Sequence, residues 1–207
     1  VRALILVDIQ NDFVPGGALA VREGDQIVAI ANRLIRQFDL VVATQDWHPP
    51  GHLSFAANHP GRRVGEVIEL DGLPQVLWPV HCVEGTPGAA FVPGLVVDKV
   101  ARVFRKGTDP GIDSYSGFYD NGHRRSTGMA EWLRDRGVTD AYVVGLATDY
   151  CVKFTALDGR KLGLDVHLVE DACRGVDLNR GDVAAAVAEM RAAGVRVLPS
   201  NEVPAKG

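Results

Sequence analysis

The chain has no apolar run near the ~18 residues that a membrane span requires. Its first run, Ala3 to Val7, stops at Asp8, which is also too short for the core of a secretory signal. Basic residues form no long cluster, and 22 Lys and Arg stand against 26 Asp and Glu for a net charge of −4. The electrostatic footprint of nucleic-acid or anionic-lipid binding is therefore missing. Cysteine is scarce: Cys82, Cys151 and Cys173 are an odd set in 207 residues. A chain of this size needs no disulfide staples, so free thiols in a reducing compartment are expected. No fixed-period repeat occurs, and the 23 Gly and 11 Pro are spread as turn punctuation instead of forming a linker. No G-x-G-x-x-G follows the first apolar run, which argues against a dinucleotide-binding turn. The expectation is a soluble, cytoplasmic protein with neither nucleic acid nor membrane as partner.

With 46% hydrophobic and 23% charged residues, the composition is that of a globule able to bury a full core. Short apolar runs at Leu4–Val7, Leu40–Ala43, Ala101–Phe104, Ala141–Leu146, Val166–Val169 and Val195–Leu198 read as buried strands. Between them, Ile27–Phe38, Met129–Arg136, Val152–Leu162 and Asp182–Ala193 carry apolar residues at helical spacing, with Gly137, Gly163 and Gly194 as stops. This alternation predicts an α/β fold, a doubly wound, mostly parallel sheet with helices on both faces, in a single domain over residues 1–207. One stretch, about 44–94, breaks the pattern. It is rich in Pro, Gly, His and Asp, with only Glu66–Leu70 alternating like a strand, yet Trp47, Phe55, Leu77, Trp78 and Phe91 would anchor it as a packed excursion.

In open α/β sheets, ligands bind beyond the carboxyl ends of the strands. The polar residues following the apolar runs are therefore the informative ones: Asp8, Asp46, Lys106 and Cys151. Cys151 lies between a strand and a helix, where backbone amides and the helix dipole favour thiolate over thiol; a buried structural cysteine is the alternative. Asp8 could serve as a general base or as a turn-former, and Lys106 as an electrostatic clamp or a solvated charge. Together they would supply a nucleophile, a proton acceptor and a cation. Cys82 and Cys173 read as structural.

A second constellation lies in the irregular stretch, where Asp46 and His48 are followed by His52, His59 and His81. Asp46 and His48, one residue apart on an extended chain, point to the same side. Mixed carboxylate and imidazole ligands suit Zn, Fe or Mn, and three of them leave positions open for water or substrate. Backbone-bonded loop histidines are the alternative.

The segments VDIQNDFVPGGALAV, TQDWHPPGHLSF, LWPVHCVEGTPGAAF, RKGTDPGIDSYSGF and VVGLATDYCVKFTALD carry these residues in order. In them the chain resembles the nicotinamidases, the pyrazinamidase-like branch of the isochorismatase-like cysteine hydrolases, over essentially its whole length. The resemblance implies a catalytic triad of Asp8, Lys106 and Cys151. It also implies one divalent metal, zinc before iron or manganese, on Asp46, His48 and His81, with His52 behind these ligands or as an extra one. A cis bond between Leu146 and Ala147 would bring the amides of Ala147 and Cys151 onto a developing oxyanion. Phe13, Leu19, Trp78, Tyr115 and Tyr150 would wall a pocket for a flat heteroaromatic ring. The implied reaction is hydrolysis of nicotinamide to nicotinate and ammonia through a cysteine thioester, with pyrazinamide also accepted. The alternatives are a metal-independent cysteine hydrolase of carbamoyl, ureido or other small amides, and a non-catalytic binding module. A homo-oligomer stays open.

Overall fold

A computed structural model describes residues 1–205. In chain order the elements are β1 (Arg2–Val7), α1 (Ile27–Ile35), β2 (Leu40–Asp46), β3 (Val67–Leu70), β4 (Leu73–Val76), β5 (Arg102–Lys106), α2 (Met129–Arg134), β6 (Asp140–Leu146), α3 (Lys153–Lys161), β7 (Asp165–Arg174), α4 (Asp182–Ala192) and β8 (Arg196–Leu198). Six strands form one sheet in the order β5-β2-β1-β6-β7-β8, and all of its pairings are parallel.

The strand residues alternate between two cores because successive side chains point to opposite faces. Leu4 and Leu6 of β1, with Tyr142, Val144 and Leu146 of β6, pack on one face with Ile27, Ala31 and Leu34 of α1. Ala3, Ile5 and Val7, with Ala141 and Val143, pack on the other face with Met129 and Leu133 of α2, Ala156 of α3 and Met190 of α4. Helices thus cover both faces, as expected for central parallel strands buried on each side. Gly137, Gly163 and Gly194 each have a positive φ just beyond a helix, the conformation that ends a helix most cheaply.

Several boundaries differ from the sequence reading. β2 runs on through Thr44 and Gln45 to Asp46, and β5 starts at Arg102 and reaches Lys106. The polar ends stay extended because they pair, Asp46 lying opposite Lys106; the irregular excursion therefore starts after Asp46, not at Thr44. Within it, β3 is joined by an unexpected antiparallel partner, β4. Pro74 hides that strand in the sequence, and the two-stranded hairpin is a place that tolerates it. The expected helix start at Val152 is replaced by a π-helical turn, Thr148–Val152, ahead of α3.

The chain builds outward from β1 to β2 and β5, then returns to β6 on the other side of β1. The point where the order reverses lies between β1 and β6, where such sheets open a crevice at their carboxyl ends.

Candidate active site

Asp8 follows the last residue of β1, at a positive φ of 48°. Asp46 and Lys106 close β2 and β5, and Cys151 sits in the turn after β6. Strand order alone brings the four together, and all are buried. Lys106 Nζ lies 2.8 Å from Asp8 Oδ2 and 2.6 Å from Asp46 Oδ1. It also donates to Ser114 O at 2.9 Å and to Cys151 Sγ at 3.3 Å. Ligand atoms of Asp8, Asp46 and Cys151 all fall within 4.8 Å of one another.

Burial pushes the Asp8 carboxyl up; Lys106 opposes, Asp46 adds to the rise, and the net shift is upward. For Asp46, burial is again the largest influence and again raises, but Lys106 and His48 outweigh it and hold the carboxyl well below its usual range. The Lys106 ammonium, disfavoured by burial, is held well above its usual range by the two carboxylates. Burial pushes the Cys151 thiol well up, and Asp8 and Asp46 add to this against Lys106. The expectation that its position would favour the thiolate is thus corrected: burial and two acids outweigh the amide and dipole effects.

Two further side chains set this geometry. Thr44 Oγ1 donates to Asp8 Oδ1 at 2.6 Å and accepts from Asp8 N at 3.2 Å. Gln10 grips the backbone of Asp46: its Oε1 accepts the Asp46 N–H and its Nε2 donates to Asp46 O, both at 2.8 Å. The sequence placed Thr44 and Gln10 inside motifs without signalling these roles.

The second constellation meets the first at Asp46. Asp46, His48 and His81 are buried and offer ligand atoms within 4.8 Å of one another. His48 Nδ1 lies 2.8 Å from Gly107 O, and His81 Nδ1 lies 2.7 Å from Pro79 O. Carbonyl oxygens only accept, so both Nδ1 atoms carry a proton, and in the neutral rings both Nε2 atoms present lone pairs. Those lone pairs face Asp46 Oδ2 at 3.4 and 3.7 Å, and His48 Nε2 is buried without a hydrogen-bond partner. Lone pairs converging on a carboxylate oxygen repel unless a positive charge, a metal ion or a proton on a ring, lies between them. This donor set, with carbonyls fixing both rings, fits a divalent metal.

His52 differs. Ser54 N–H donates to its Nδ1 at 3.1 Å, so its neutral ring carries the proton on Nε2. Burial, with His48 nearby, holds it down to about 4. It groups with His48 and Asp113. His59 lies apart from the site, its Nε2 2.7 Å from Leu53 O.

A cleft opens over these groups, lined by Phe13, Leu19, Trp78, Tyr115, Tyr150 and Ala147 as well as Cys151, Asp46 and His81. All five expected wall residues thus meet there. Trp78 Nε1 donates to Tyr115 OH at 3.1 Å, and the Trp78 and Tyr150 rings meet edge to face at 4.9 Å. Burial, with Asp149 nearby, pushes the Tyr150 phenol up to about 12. The Leu146–Ala147 bond is cis. Asp113 and Val176 complete the lining; sequence reasoning missed both, since neither follows an apolar run that ends in a chemical motif.

A family profile described as the Isochorismatase domain matches residues 2–202. The chain belongs to the isochorismatase family. Among its family relatives is a nicotinamidase of Escherichia coli, 52% identical over 197 residues, covering 93% of this chain and 92% of the relative. A nicotinamidase/pyrazinamidase of Acinetobacter baumanii has a solved structure 48% identical to this isochorismatase-family chain, with a TM-score of 0.96 and 98% of each chain covered. A pyrazinamidase of Pyrococcus horikoshii, solved in complex with zinc, is 41% identical with a TM-score of 0.78, covering 96% of this chain and 98% of that one. Among the described residues, no helix of this family member is long and apolar enough to cross a membrane.

Proposed function

We propose that the chain is an amidohydrolase that converts nicotinamide to nicotinate and ammonia, with pyrazinamide as a second substrate. Asp8, Lys106 and Cys151 form its catalytic triad. The observation that carries this reading is the meeting of a thiol, a carboxyl of raised proton affinity and a shared ammonium beneath an aromatic cleft. The names and identities of the relatives support the substrate.

The flat ring packs among Phe13, Leu19, Trp78, Tyr115 and Tyr150. Asp8 takes the proton of Cys151 as the sulfur adds to the carboxamide carbon. The backbone amides of Ala147 and Cys151 hold the oxyanion; donors of this kind contribute ~3–4 kcal/mol each. Asp8 then passes its proton to the amide nitrogen, the C–N bond breaks, ammonia leaves, and a thioester remains on Cys151. For the second half, Asp8 takes a proton from water while the water oxygen adds to the thioester carbon. The C–S bond then breaks, the sulfur recovers its proton, and nicotinate is released. Lys106 balances whichever of Asp8 and Cys151 is anionic.

The excursion after β2 contributes His48 and His81, which with Asp46 would hold one divalent metal, zinc by analogy with the Pyrococcus horikoshii protein. When bound, it would engage the pyridine nitrogen and fix the ring's direction. His52, its ring centroid 4.3 Å from that of His48, would stand behind these ligands. The buried Asp46, His48 and His81 group weighs against a metal-independent hydrolase of carbamoyl or ureido compounds.

The test is ammonia release from nicotinamide and from an N-carbamoyl amino acid by wild type and by Cys151→Ala. Wild type should act on nicotinamide, and the variant should retain its circular-dichroism spectrum while losing turnover. Wild-type-like ammonia release from Cys151→Ala, or a wild type that acts only on the carbamoyl compound, would overturn the proposal.

A further inference from the structure

We propose that Val176 sets the limit on ring size in the cleft, and that Asp149 is the positioning residue that holds it there. This rests on the reading that the cleft takes a flat heteroaromatic carboxamide. Val176 lies in the irregular segment between β7 and α4 and lines the cleft together with Leu19, Ala147 and Cys151. The aromatic walls are braced against one another, Trp78 by Tyr115 and Tyr150. Val176 packs on the same core as Leu19 and Ala147, and its backbone is tied by one carboxylate. Asp149 is buried in the turn that carries Cys151, and its two oxygens accept the Val176 N–H at 2.9 Å and the Asp177 N–H at 2.8 Å.

The fit leaves no slack. A Cβ at Gly175 would run into the Val183 side chain and come within 3.1 Å of Asp149 Oδ1, so glycine there lets the segment lie against the turn. On its far side, Asp177 Oδ1 accepts the N–H groups of Gly181 and Val183, both at 3.1 Å, tying the segment to the start of α4. Nucleophile turn, wall and helix are thus one hydrogen-bonded unit. The same carboxylate that fixes the wall therefore fixes its distance from the sulfur.

A pocket that excludes one methyl group discriminates by roughly 10–200-fold. Shortening Val176 to alanine removes two methyl groups from the wall. Asp149→Asn replaces one acceptor with an NH2 group that confronts an amide donor, so the segment should lift. Asp149→Glu keeps both acceptors but carries them one methylene outward.

The experiment measures kcat/KM for ammonia release from nicotinamide and from nicotinamides methylated at each free ring carbon. The quantity read is the methylated-to-unmethylated ratio. Val176→Ala should raise that ratio about 10-fold or more for at least one isomer. Asp149→Asn should raise it for the same isomer, chiefly through KM; Asp149→Glu gives the same reading should the asparagine variant not fold. No gain for any isomer in Val176→Ala would overturn the role of Val176. Equal loss on every substrate in the Asp149 variant that folds would reduce Asp149 to a purely structural part and overturn its half. Wild-type protein inert toward unmethylated nicotinamide would instead sink the underlying reading of the cleft.

Discussion

Adding one methyl group at Gly107 should damage the proposed metal site and lower the stability of the chain. Gly107 follows Lys106 with φ at +65°, and a Cβ there would sit 2.6 Å from His48 Nδ1 and closer still to Cε1. Its carbonyl is the very group that accepts the His48 Nδ1 proton at 2.8 Å. Alanine in a left-handed conformation costs roughly 1–2 kcal/mol, and overpacking a buried contact adds about 1–3 kcal/mol. Gly107→Ala should therefore destabilise the chain by roughly 2–5 kcal/mol, at ~2–4 °C of melting temperature per kcal/mol for a chain this long. Unfolding should be followed on metal-stripped protein, because a ligand bound only by the native state would mix its own affinity into the result. If relief comes from turning the His48 ring, metal affinity should fall by about 10–100-fold, the usual loss when the group orienting a ligand is disturbed. Competition between the protein and a chromogenic chelator for zinc reads that change. A lowered melting temperature with undiminished zinc affinity would show that the backbone yields and the His48 ring does not turn, and the absence of both changes would refute the steric argument itself.

Removing metal with a chelator should abolish most ammonia release from nicotinamide, and added zinc should restore it; full activity of protein shown to be metal-free by elemental analysis would contradict the role given to Asp46, His48 and His81. Thr44→Val keeps the shape but removes the donor to Asp8 Oδ1 and the acceptor of Asp8 N–H. A cost of about 1–3 kcal/mol from the unsatisfied groups is expected, with kcat falling more than KM rises; unchanged kcat would detach Thr44 from Asp8's work. Lys106→Met leaves two carboxylates buried and unpaired, a loss of about 3–5 kcal/mol for a broken buried pair. The pH dependence of that loss has a sign. Burial raises the Asp46 carboxyl, yet Lys106 and His48 hold it well below 3.8. It therefore contributes stability in wild type that is present above that value and lost as pH falls through the folded one. Without Lys106, burial dominates and the folded carboxyls rise, so acidification from neutral pH should narrow the gap between variant and wild type in urea melts of metal-stripped protein. A gap that widens on acidification would show that Lys106 is not balancing those acids.

The parts of this molecule legible in the sequence are those written in short-range pattern. Apolar runs ending in Asp8, Lys106 and Cys151 gave both the sheet and its chemical edge, because a parallel sheet buried on both faces needs such runs and exposes chemistry where they stop. The five walls of the cleft came from motif resemblance. What stayed hidden depends on pairing across the chain. Asp46 is a strand residue only because Lys106 stands opposite it, and β4, with Pro74, is a strand only because β3 lies beside it. Asp113, Gln10, Asp149 and Val176 matter through partners tens of residues away, such as Asp149 and Val176, which no local periodicity encodes. The proton affinity of Cys151 is likewise not legible from its place before a helix. It is decided by burial and by acids delivered from two other strands.

The raised proton affinity of Cys151 bears on how the proposed reaction begins. Creating a thiolate by expelling a proton to solvent would add a negative charge to a buried group that already holds Asp8, Asp46 and one ammonium, and low-dielectric surroundings make such a charge costly. Passing the proton from Cys151 to Asp8 adds none. Burial has raised the proton affinity of both groups. Lys106 Nζ lies 2.8 Å from Asp8 Oδ2 and 3.3 Å from Cys151 Sγ. It can accompany the negative charge from oxygen to sulfur and back with little movement, anchored throughout by Asp46 and Ser114 O. A cation preorganised in this way avoids solvent rearrangement at each proton transfer. The buried lysine, costly to fold around, is what would let one carboxyl act as base, acid and base again within a single turnover of the proposed reaction.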